Sequence, residues 1–156
     1  MEKLTANERF AALELPEENN PTSSGIYRSC LVNGTHLYVS GHGPIMPDGK
    51  YMTGKIGGER SIEDGQLAAR LTGIAILRSI KHELGSLDRV KRVVKILGMV
   101  NCTSDFAKHP FVINGCSELF RDIFGEENGV GVRSAVGMGS LPDQITVEIE
   151  ALFELS

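Results

Sequence analysis

Residues 145–155 alternate in polarity, with Ile145, Val147, Ile149, Ala151 and Phe153 at odd positions and Thr146, Glu148, Glu150 and Glu154 at even ones. A period of two belongs to a β-strand, whose successive side chains point to opposite sides of the sheet. One side must therefore be covered by another layer, and the other carries carboxylates.

Two further segments with strand character, 27–32 and 36–40, flank Asn33-Gly34, a pair that supplies the positive φ angles of a type I′ turn, so a β-hairpin is expected. The hairpin runs into Gly41-His42-Gly43-Pro44 and a second turn, Pro47-Asp48-Gly49. A long helix is expected over 62–84. Ser61 and Asp64 form a capping box, Leu67, Leu71, Ile74 and Ala75 give the helical repeat, and Gly85 is placed to end it in the left-handed conformation. Residues 90–100 are mostly apolar and β-branched, which predicts a strand covered on both faces. A second helix is expected over 110–124, its apolar side made by Val112, Ile113, Leu119, Phe120 and Ile123, with Gly125 as its stop. Ahead of all this, a capping box at Thr5 and Glu8 predicts a short helix over 5–13 ended by Pro16, and 17–25 reads as an irregular connector. The order is hairpin, long helix, strand, helix, strand, strand: an α/β chain in one domain spanning 1–156. Two substantial helices cover one face of such a sheet, so the other face must be polar or meet a partner, which favours an oligomer.

Several functional classes lack support. A net charge of −4 gives no basic footprint for a phosphate backbone, and the densest basic run, Arg89, Lys91, Arg92 and Lys95, reads as a solvated connector, so nucleic acid is not expected as a partner. The three cysteines, Cys30, Cys102 and Cys116, have no CxxC spacing, and no two of the four histidines are i, i+4 on a helix, so neither disulfides nor a metal site are expected. His82, near a helix C-terminus, is explained by the dipole there. No phosphate-binding loop, dinucleotide fingerprint or nucleophile elbow is present. The start of the chain has no apolar signal core and no stretch approaches membrane-span length, which makes the cytoplasm the default compartment.

Three features remain that could act together on a small acid: Ser40-Gly41-His42 at a strand end, Arg133-Ser134 at the start of a strand, and Glu148 with Glu150 on the last strand. A guanidinium fork binds carboxylates, glycine-exposed N–H groups add hydrogen bonds, and a carboxylate orients water. Taken singly, each has a plainer explanation as a surface ion pair or a solvent-facing charge.

The chain resembles the RidA/YjgF family, also labelled endoribonuclease L-PSP, whose members hydrolyse reactive enamines and imines. The resemblance is carried by Gly25-Ile26-Tyr27 with Leu37-Tyr38-Val39-Ser40-Gly41-His42-Gly43-Pro44, by Phe111-Val112-Ile113-Asn114 ahead of Phe120, and above all by a third set. This is Val132-Arg133-Ser134-Ala135-Val136, then Leu141-Pro142, then Val147-Glu148-Ile149-Glu150-Ala151, matching R-S-x-V, L-P and E-I-E-A in order. It extends from about Pro21 to the C-terminus, leaving 1–20 as an N-terminal extension. The resemblance implies a chorismate-mutase-like fold, a six-stranded mixed sheet with two helices on one face, assembled as a homotrimer with clefts between subunits. By position it implies that Arg133 binds the substrate carboxylate and that Gly41 and Ala135 offer backbone N–H groups. Glu148 would orient water, and Tyr27 and Asn114 would line the cleft beside Ser40, His42 and Glu150. Active members usually carry a cysteine where this chain has Ala135 and a glutamine where it has His42. Residue alternation puts Glu148 and Glu150 on one face and does not choose between them; only the resemblance favours Glu148.

The expected activity is therefore cofactor-independent hydrolytic deamination of enamines or imines derived from amino acids, with Arg133 and Glu148 as its central groups. A non-catalytic keto-acid binder using the same cleft is the second reading, and a ribonuclease, as the older label has it, the third.

Overall fold

The computed structural model describes residues 3–17 and 25–156. Five strands form one sheet: β1 (Cys30–Asn33), β2 (His36–His42), β3 (Val90–Asn101), β4 (Val132–Met138) and β5 (Val147–Leu155), in the spatial order β1-β2-β5-β3-β4. All neighbours are antiparallel except β3 and β4, which run parallel because helix α3 (His109–Phe124) makes the crossover between them. The final strand is thus the middle of the sheet. Its Val147, Ile149, Ala151, Phe153 and Leu155 are buried under α3 and the long helix α2 (Ile62–Leu84), whereas Glu148, Glu150, Leu152 and Glu154 lie on the uncovered side.

Local signals account for most of these elements. Ser61 and Asp64 cap α2 reciprocally, and Gly85 closes it at φ +83°. Gly34 supplies φ +62° in the turn between β1 and β2. The capping box of Thr5 and Glu8 starts α1 (Ala6–Ala11), whose Phe10 joins the core; this helix ends ahead of the expected Leu13, well short of Pro16. A one-turn helix α4 (Glu126–Gly129) follows α3 after Gly125.

The two long helices approach unusually closely. An alanine methyl at Gly115 of α3 would lie 2.0 Å from the backbone oxygen of Gln66 on α2, so only glycine permits this crossing. The α2 stripe that faces inward is made by Ala68, Ala69, Gly73, Ile76, Leu77 and Ile80, while Leu67, expected within it, is half exposed.

Three other expectations are corrected. The sheet has five strands, not six: after β2 the segment 45–56 makes only isolated bridges, because Pro44 and Pro47 lack donors and Gly49 and Gly54 take positive φ. Strand β3 is covered on one face alone, with Val93, Ile96 and Val100 buried, Leu97 and Met99 half-buried and Lys95 exposed. The basic run is no connector. Lys91 and Arg92 belong to β3 and pair with Glu154 across the strand junction at 2.9 and 3.5 Å. The connector expected over 17–25 falls, apart from its ends, outside the described residues. Among the described residues, no helix is long and apolar enough to cross a membrane.

Helix propensity alone makes Gly115→Ala stabilising by about 1 kcal/mol. The close crossing predicts the reverse, a loss of roughly 3 kcal/mol, whereas Gly139→Ala, with nothing within 4 Å of the added methyl, should shift stability by no more than about 0.5 kcal/mol. Urea unfolding of the two variants beside the parent protein measures the difference.

Candidate functional site

Arg133 sits on edge strand β4 in register with Ile96 of β3, and like Ile96 it faces the helices. There α3 holds its guanidinium. Nη1 donates to Ser117 Oγ at 2.9 Å, and Nη2 donates to Asn114 Oδ1 at 2.8 Å and, at a long 3.4 Å, to the Pro110 carbonyl. Asn114 and Ser117 are three residues apart and so adjacent on one helix face. Of the five guanidinium N–H groups, three point at these acceptors, and Nε–H and one Nη1–H have no acceptor among the described residues. Arg133 forms no ion pair among the described residues. It borders a groove of about 390 Å³ whose walls include Ile96, Asn114, Ser117, Arg121 and Gly131. Ala135 follows on the same side, in register with Gly98.

Glu148 lies on the other side of the sheet. It is in register with Met99 on β3, and its carboxylate covers Gly41: an added methyl there would stand 2.8 Å from Oε2. The carboxylate has no hydrogen-bond donor among the described residues. Loss of hydration on burial, and then the charge of Glu150, push its pKa above the ordinary carboxylate value. Glu150 itself is exposed. It borders a second groove on the same face, about 520 Å³, with Tyr27, Leu31, Tyr38, Ser40 and Leu97. The Ser40 hydroxyl donates to the Arg28 carbonyl at 2.6 Å and ties down the segment that carries Tyr27.

His42 does not join them. Between Val39, opposite Ala151, and His42, opposite Ile149, β2 has one residue more than β5, a β-bulge. The bulge reverses the alternation, leaving Gly41 beside Glu148 and turning His42 toward α2. Its Nδ1–H donates to the Ser40 carbonyl at 2.6 Å, which makes Nε2 the acceptor from the Ser79 hydroxyl at 2.8 Å. Burial holds this imidazole below the usual histidine pKa, only partly offset by the Ser40 carbonyl. Its place is structural and faces away from Glu148.

The residues singled out in the sequence therefore form two groups on opposite faces: Arg133, Ala135 and Asn114 on the helix side, and Tyr27, Ser40, Gly41, Glu148 and Glu150 on the bare side. Sequence reasoning missed two members. Ser117 shares the Arg133 guanidinium with Asn114, and the only signal was its i, i+3 spacing. Tyr51 packs its ring on Gly43, with 2.9 Å between Cε1 and an added methyl, and it feels the charges of Tyr27, Asp143 and Glu148. No motif marked it. All three cysteines are free and buried, and among the described residues no cluster of three or more His, Cys, Asp or Glu side chains could hold a metal ion.

Residues 6–141 match the family described as "YjgF/chorismate_mutase-like, putative endoribonuclease". Protein TCP17 of Trypanosoma cruzi is 38% identical over 154 residues, covering 99% of this chain and 95% of its own. A crystal structure from Shewanella oneidensis, described as "a putative endoribonuclease", superposes with a TM-score of 0.90 at 26% identity, covering 97% of this chain and 100% of its own. Escherichia coli TdcF with bound serine, also 26% identical, gives 0.58 over 91% of this chain and 98% of its own. The chain thus has the mixed α+β, chorismate-mutase-like fold, and it belongs to the YjgF/RidA family. At equal identity its backbone follows the Shewanella protein far more closely than TdcF.

The depressed pKa of His42 has a thermodynamic sign. Between its folded value and the unfolded value of about 6.5, the unfolded chain binds more protons, so stability falls as pH drops below that value. His42→Gln should flatten this part of the profile, measured as the urea midpoint between pH 7.5 and 5; an unchanged slope would assign the loss to other groups.

Proposed function

We propose that the protein hydrolyses enamines or imines derived from amino acids, in clefts formed where copies of the chain meet as a homotrimer. The observation that carries the reading is the split of the site. One chain holds an anchored cation on the helix side of edge strand β4 and an uncommitted, half-buried carboxylate on the bare face of β5. A second copy placing its β4 edge near the bare face would set the two together. That face carries exposed Leu31, Tyr38, Val132 and Val136, apolar surface of the kind that marks an interface.

The chemistry follows from the parts. The free N–H groups of Arg133 bind the substrate α-carboxylate. Serine, the molecule held by the related TdcF, carries such a carboxylate. A protonated imine is already electrophilic, so positioning and electrostatics suffice without a covalent nucleophile or cofactor. Ionised Glu148 takes a proton from water as the oxygen attacks the imine carbon, and the products are a keto acid and ammonium. Ribonuclease activity fits poorly, since a net charge of −4 gives no basic footprint for a phosphate backbone.

A second reading, a non-catalytic keto-acid binder, is favoured by one observation: His42, which stands where active relatives usually have glutamine, is turned away from Glu148. Thermal stabilisation by pyruvate without turnover of freshly generated 2-iminopropionate would select it.

Arg133→Ala should lower turnover of 2-iminopropionate by roughly 100-fold or more, as expected for losing charge-assisted hydrogen bonds of about 1.5–3 kcal/mol each, with an unchanged elution volume in size-exclusion chromatography. Undiminished turnover would refute the reading. Because the carboxylate form of Glu148 is the active one and its pKa is raised, the rate should fall with acid at a pH above the ordinary glutamate value of about 4.3. A pH–rate profile checks this, and Glu148→Gln should abolish that limb together with most of the rate.

A further inference from the structure

Near the β-bulge, three polar groups have no hydrogen-bond partner among the described residues: the Glu148 carboxylate and the hydroxyls of Tyr27 and Tyr51. Two of them are fixed by neighbouring glycines. Glu148 rests on Gly41 and the Tyr51 ring on Gly43, where added methyls would meet Oε2 at 2.8 Å and Cε1 at 2.9 Å. The two glycines flank His42, so carboxylate and phenol ring rest on neighbouring points of one short segment, and Tyr51 feels the charge of Glu148. The ring is held further. Tyr51 bridges to Ile45, and the intervening turn is closed by Met46 N–H to the Lys50 carbonyl at 2.8 Å and Gly49 N–H to the Met46 carbonyl at 2.9 Å.

We propose that Tyr51 is a further catalytic residue, its hydroxyl donating a hydrogen bond to the oxygen that Glu148 directs onto the imine carbon. The inference rests on the deaminase reading and deepens it. In the first step the water oxygen bonds to carbon, the C=N electron pair moves onto nitrogen, and one water proton passes to Glu148. Glu148 then delivers that proton to nitrogen and takes the remaining hydroxyl proton, which leaves an oxyanion beside an ammonium group. The C–N bond breaks with its pair on nitrogen, C=O forms, and the proton on Glu148 leaves with ammonia as ammonium. The developing oxyanion needs a donor placed in advance. Arg133 is committed to the carboxylate, and the Tyr51 O–H, unpartnered among the described residues, lies close enough to Glu148 to feel its charge. Burial, and then the charges of Tyr27, Asp143 and Glu148, raise the phenol pKa, so the hydroxyl keeps its proton and remains a donor throughout the neutral range.

Tyr51→Phe removes only the oxygen and leaves the ring on Gly43. With 2-iminopropionate as substrate, kcat should fall at least tenfold, KM should stay within twofold, and the melting temperature should be unchanged. A kcat within twofold of the parent overturns the proposal while leaving the deaminase reading standing. Should the parent protein turn over no imine, that reading fails, and calorimetric titration with pyruvate decides for Tyr51: Arg133→Ala abolishes binding, and Tyr51→Phe weakens it at least threefold if the hydroxyl meets the ligand oxygen. Equal pyruvate affinity in parent and Tyr51→Phe proteins overturns the proposal.

Discussion

Strand β5 is the element on which the rest depends, because its two faces answer to different solvents. The odd positions from Val147 to Leu155 are sealed beneath α2 and α3, and this burial, with the close crossing at Gly115, fixes where the helices lie. Their placement sets Asn114 and Ser117 against edge strand β4 and so orients Arg133. The even positions, among them Glu148 and Glu150, are left on a face that no described element of the chain covers. Packing on one side and carboxylates on the other are two consequences of one alternating sequence.

The division of the site follows from β-sheet geometry. Arg133 registers with the buried Ile96 and Glu148 with the half-buried Met99, neighbours of opposite parity on β3. Side chains of opposite parity cannot meet through a sheet. Under the proposed reading a functional unit that uses both takes two copies, and the exposed apolar residues on the bare face give copies a physical reason to associate.

Much of this was legible in the residues. The hairpin turn at Asn33-Gly34, the capping boxes at Thr5 and Ser61 and the stop at Gly85 are local devices whose chemistry acts over a few residues, and each appears where it was read. What depends on partners distant in sequence was not legible. Nothing in 36–42 marks the extra residue opposite β5, so the side taken by His42 came out reversed. Leu67 fits the helical repeat, but small residues at Ala68, Ala69 and Gly73 let α3 approach on a different stripe. The family pattern implied six strands, but two prolines and two glycines with positive φ limit the segment after β2 to isolated bridges. Tyr51 gained its neighbours through a turn whose sequence shows only that it bends.

The acceptors that hold Arg133 are an amide oxygen, a hydroxyl and a peptide carbonyl, none of which bears a formal charge. They lock the direction of the guanidinium without neutralising it. A full positive charge therefore persists at a half-sheltered edge of a protein whose net charge is −4. Under the proposed reading, the pull of this charge on a small anion is opposed locally by Glu118 and Glu126 of the same groove and weakened by added salt.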